Sequence, residues 1–69
     1  MALGGDKNRT PTGNEVYFEF TQIGGQMRVA AIDATTGIEV IVIAPVTLTQ
    51  LQMQTLALAK LKRRLETLK

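Results

Sequence analysis

A chain of 69 residues that is 45% hydrophobic has room for one small core, and its lack of Cys and His excludes both disulfides and the zinc sites built from those side chains. Eight Lys plus Arg stand against six Asp plus Glu, a formal net charge of +2, so no strong overall field commits the chain to a highly charged partner. A single core below roughly 70 to 80 residues rarely supplies more than about 3 to 5 kcal/mol, and with disulfides and zinc removed the remaining source of support is oligomerisation.

Residues 1–14, MALGGDKNRTPTGN, carry almost no large apolar side chain after Leu3 and read as a flexible tail. A single domain is expected over 15–69. It opens with Val16-Tyr17-Phe18-Glu19-Phe20, strand formers by β-branching or aromatic bulk. Gly24-Gly25 then predicts a two-residue hairpin, because glycine at both positions can take positive φ. Counting outward from that turn pairs Phe20 with Val29, Phe18 with Ala31 and Tyr17 with Ile32. A second, four-residue turn runs from Asp33 to Ile38, with Gly37 in the left-handed position. Strand three is expected over Ile38 to Ala44, pairing Ala31 with Val40, Val29 with Val42 and Ala30 with Ile41.

Pro45 ends that strand, and Thr47 with Gln50 has the form of a capping box, so a helix is expected from about Leu48. Its apolar stripe is expected along Leu51, Leu58 and Leu65 beside Gln54, Leu61 and Leu68, with Met53 and Leu56 off the stripe. The fold class is therefore α+β: a three-stranded antiparallel meander followed by one C-terminal helix on one sheet face, a βββα unit.

The helix has one sheet face to cover. Val16, Phe18, Phe20, Met27, Val29, Ala31, Ile38, Val40, Val42 and Ala44 share a face without a charge, and the helix is expected there. The other face would be polar if it met water, yet Tyr17, Ile32, Ile41 and Ile43 gather on it among Glu19, Arg28 and Glu39. An apolar patch rimmed by charge marks an interaction surface, so Tyr17, Ile32, Ile41 and Ile43 are the candidate interface of a homo-oligomer, expected to be a dimer.

The strings Glu15-Val16-Tyr17-Phe18-Glu19-Phe20, Ile23-Gly24, Ala31-Ile32-Asp33, Thr36-Gly37, Glu39-Val40, Pro45, Leu56-Ala57 and Lys60-Leu61 resemble a family of short uncharacterised bacterial proteins. The likeness covers about residues 15–65. It implies a small intracellular bacterial protein and brings no activity, ligand or functional residue with it.

Catalysis has few parts to draw on. Without Ser, Cys or His, neither a Ser nor a Cys nucleophile with a His base can be assembled. Glu19 and Glu39 share the second sheet face on strands one and three, about 10 Å apart from the strand spacing. They read as solvated edge charges, so the expectation is no enzyme, no cofactor and no metal. Gly24-Gly25 lacks the following helix of a phosphate loop.

Lys60, Lys62, Arg63 and Arg64 form a basic cluster that raises nucleic acid or an acidic partner as an alternative. Against it, Arg28 stands alone among Glu15, Glu19, Asp33 and Glu39 on the sheet segment, and cations near a helix end also complement its dipole. A third alternative is an adaptor presenting its apolar sheet face to another protein. No run reaches the roughly 18 to 20 apolar residues of a membrane span, no secretory signal is visible, and a cytoplasmic, soluble protein is expected.

Overall fold

The computed structural model describes residues 15–68, and the flexible tail expected over 1–14 lies outside them. Three strands, β1 (Val16–Ile23), β2 (Gln26–Asp33) and β3 (Glu39–Pro45), form an antiparallel sheet in the order β1-β2-β3, followed by helix α1 (Gln50–Thr67). The expected βββα meander is the observed architecture. Its register also follows the count outward from the turns, with Tyr17 opposite Ile32, Phe18 opposite Ala31, Val29 opposite Val42 and Ala30 opposite Ile41.

The first hairpin closes through Gly24-Gly25 as expected, with Ile23 opposite Gln26. Only Gly24 takes a positive φ, at 61°, while Gly25 does not. This is the φ pattern of a II′ turn, which needs glycine at its first central position alone and matches strand twist as well as the I′ form does. The second turn is as expected: Gly37 sits at φ 77°, its N–H donates to Asp33 O at 2.7 Å, and Asp33 N–H donates to Ile38 O at 2.8 Å. Asp33 is buried as a residue, and its carboxylate accepts from both Thr36 N (3.0 Å) and Thr36 Oγ1 (2.6 Å), so the turn is tied by its own first side chain.

The helix begins two residues later than expected. Thr47-Leu48-Thr49-Gln50-Leu51-Gln52 contains two overlapping Thr-x-x-Gln boxes, and the second forms: Gln52 N–H donates to Thr49 Oγ1 at 3.0 Å and Thr49 N–H to Gln52 Oε1 at 2.9 Å. The first box is lost because Leu48 N–H closes a turn on Pro45 O at 3.2 Å, which occupies the chain up to Leu48. Leu48, just before the cap, and Met53, four residues into the helix, both pack on the core as a hydrophobic staple would.

That cap sets the rotation of the helix, and the buried stripe is not the leucine heptad. Met53, Ala57 and Leu61 are buried, whereas Leu51 is 72% exposed and Leu68 53%. Leu61 is buried and Leu58 and Leu65 are half-buried as expected, but Met53, expected off the stripe, is in it, and Leu51 and Leu68, expected on it, face solvent. Ala57 is the physical reason: a residue without a long side chain lets the helix axis approach β2 and β3, where Ala31 and Ala44 are similarly small and buried. The core is Val29, Ala31, Val40 and Ala44 from the expected sheet face, closed by Met53, Ala57 and Leu61.

Candidate interaction surfaces

Every non-covalent surface of this unit follows from one helix covering one side of three strands. On the side away from the helix, register places Tyr17 beside Ile32, Ala30 beside Ile41, and Arg28 beside Ile43. Neighbouring side chains close over Ala30 completely, Tyr17, Ile32 and Ile41 are half-buried, and Ile43 is 56% exposed. Ile23, at 59% exposure, extends the same face toward the hairpin tip. The four candidate interface residues therefore lie in one apolar band flanked by Glu19, Glu39 and Arg28, all exposed. Tyr17 Oη also donates to Glu15 Oε1 at 3.2 Å, holding the ring's polar end at the margin of the band.

The two sheet edges are unequal. Along β3, Asp33 N–H bonds to Ile38 O and Val46 N–H to Gly25 O, so the alternation of an antiparallel ladder turns the backbone groups of Glu39, Ile41, Ile43 and Pro45 outward. Two of these positions are blunted: Lys60 Nζ donates to Ile41 O at 2.7 Å, and Pro45 has no N–H to offer. Along β1, Ala34 N–H bonds to Glu15 O, and the same alternation turns Val16, Phe18, Phe20 and Gln22 outward. That strand, VYFEFTQI, contains neither proline nor lysine.

A cleft of about 490 Å³ runs beside β1, with Val16 and Phe18 as its floor, Leu58, Leu61 and Leu65 as its helical wall, and Lys62 and Asp33 at its rim. Sequence reasoning missed this cleft. Its signal is the leucine heptad measured from the Thr49 cap: at about 100° per residue Leu58 lies one step round from buried Ala57, on the flank toward β1. A shallower depression of about 440 Å³ lies at the helix start between Leu48, Leu51, Thr55 and Leu56.

The basic cluster is divided by the helix. Lys60 reaches the β3 edge while Lys62 lines the cleft by β1, on the opposite flank; Arg63 and Arg64 are exposed. The carboxylates are likewise apart, with Glu19 and Glu39 on outer strands of the open face and Asp33 buried on the helix side. Among the described residues no group of three or more Asp, Glu, His or Cys could hold a metal ion, and no helix is long and apolar enough to cross a membrane.

No curated protein and no solved structure matches the chain. A family model does match, over residues 13–68, which takes in all three strands and the whole helix. The chain belongs to the family described as domain of unknown function DUF6898.

Proposed function

We propose that this chain is a self-associating interaction module without a catalytic step of its own, in which copies bury the open sheet face through Tyr17, Ile32, Ile41 and Ile43. The observation that carries it is the apolar band on the side of the sheet away from the only helix among the described residues. Glu19 and Glu39 on the two outer strands and Arg28 on the central one give two copies a means of matching opposite charges across the contact, which adds specificity more than affinity. Cytoplasmic residence belongs to the same proposal and is checked by cell fractionation.

Light scattering after size exclusion at tens of micromolar is the test, with a mass at least twice 7.5 kDa expected. Ile41→Glu should lower that mass, because the contact would bury an unpaired charge. A monomer at these concentrations ends the proposal. An adaptor for a different protein is then the next reading, since the same band would be free. Binding to nucleic acid is supported less, because Lys60 and Lys62 diverge to opposite flanks; retention on duplex DNA at 50 mM salt that weakens steeply by 200 mM would favour it.

A further inference from the structure

The outward edge of β1 and the cleft beside it form one continuous surface, and we propose that a second copy of this chain occupies it, pairing β1 to β1 antiparallel about a two-fold axis at Phe18. The contact runs along the β1 edge and touches the open face only at its margin, through Tyr17, Glu19, Arg28 and Glu15, so it can be tested separately from the face-to-face contact.

The edges choose the strand. Lys60 and Pro45 blunt β3, whereas β1 presents the backbone groups of Val16, Phe18, Phe20 and Gln22 without either device. An isologous pair of β1 strands also closes on itself: it makes a six-stranded sheet whose two remaining edges are both the blunted β3, so assembly by edges stops at two.

Side-chain chemistry chooses the register. Pairing centred on Glu19 would set two like charges opposite each other, which is destabilising. Pairing centred on Phe20 would place Phe18 against Gln22. Centred on Phe18, the helix side of the joint is wholly apolar, Phe18 on Phe18 and Val16 on Phe20 of the second copy, and on the open face Tyr17 meets Glu19. The same register aligns Arg28, across the short Thr21, with Glu15 of the second copy, and symmetry makes that ion pair twice.

The cleft supplies the rest. Leu58 and Leu65 flank β1 above Val16 and Phe18, and the second copy brings the same residues from the other side. With strands about 4.8 Å apart and each helix over β2 and β3, the helices stand about 19 Å apart, too far for direct packing, so their leucines wall a shared apolar trough floored by Val16 and Phe18 of both copies.

Because the chain has no cysteine, single substitutions report cleanly. Phe18→Cys puts the two sulfur-bearing residues in a directly opposed pair with Cα atoms about 5.5 Å apart, inside disulfide reach, and mild oxidation should give a covalent dimer. Glu19→Cys, displaced by two residues to about 8 Å, should not link. For a readout that leaves the apolar joint intact, Thr21→Cys carrying a spin label should give a backbone separation of about 20 Å, six residues of strand. Each measurement is repeated with Ile41→Glu present. A 20 Å distance that survives Ile41→Glu supports the edge pairing whatever becomes of the open-face contact. A distance lost with Ile41→Glu, a dimer with any other spacing, or a monomer overturns it; the first of these leaves the open-face contact standing.

Discussion

Lys60 donates from Nζ to the backbone carbonyl oxygen of Ile41 at 2.7 Å, so a helix side chain occupies an acceptor on the outer edge of β3. The sequence separation of 19 makes this a tertiary contact, and it places the positive charge where another strand would have to pair. Lys60→Ala should leave folding stability within about 1 kcal/mol, as the group is exposed. It should also raise concentration-dependent association beyond the wild-type mass, read by light scattering. Lys60→Arg should keep the wild-type behaviour, and equal masses for Lys60→Ala and wild type would remove the guarding role.

The two hairpin glycines should separate under substitution. Gly24 holds φ 61° and Gly25 does not, and an added Cβ meets nothing within 4 Å at either. Gly24→Ala should therefore cost about 1 to 2 kcal/mol from backbone strain alone, with Gly25→Ala near neutral. Urea unfolding midpoints decide it; equal shifts would contradict the II′ assignment.

Helix rotation is tested at three positions. Leu61→Ala removes a fully buried side chain and should cost about 2 to 5 kcal/mol. Ala57→Leu should cost about 1 to 3 kcal/mol by forcing the helix off the sheet. Leu51→Ala, at a site 72% exposed, should fall within about 0.5 kcal/mol in a folded single copy. Were the leucine heptad the buried stripe, Leu51→Ala would rank with Leu61→Ala in thermal unfolding.

The choice between the two capping boxes is equally open to measurement. Thr49→Ala removes the acceptor used by Gln52 N–H and should cost about 1 kcal/mol, while Thr47→Ala should cost little. The reverse order in chemical denaturation would move the helix start back to Leu48.

How much was legible from the chain alone follows from which signals are local. Strand alternation has a period of two, and turns of fixed length pin it, so Gly24-Gly25 and the Asp33–Ile38 turn sufficed to place every cross-strand pair and to sort residues between the two faces. The helix offered no such pin. The two overlapping Thr-x-x-Gln boxes are equally good as strings, and the apolar signal of the leucines outweighs that of Ala57.

Composition and pattern by themselves determined a three-stranded meander, a following helix, the charge-free face that helix covers and the apolar band left on the other side. Only the tertiary structure decided the helix rotation, the cleft along β1, the dispersal of the basic cluster and the unequal edges. The physical reason is that each of these depends on how closely two elements approach, which is set by small side chains and by one turn at Leu48, and distance between elements leaves no periodic trace in a sequence.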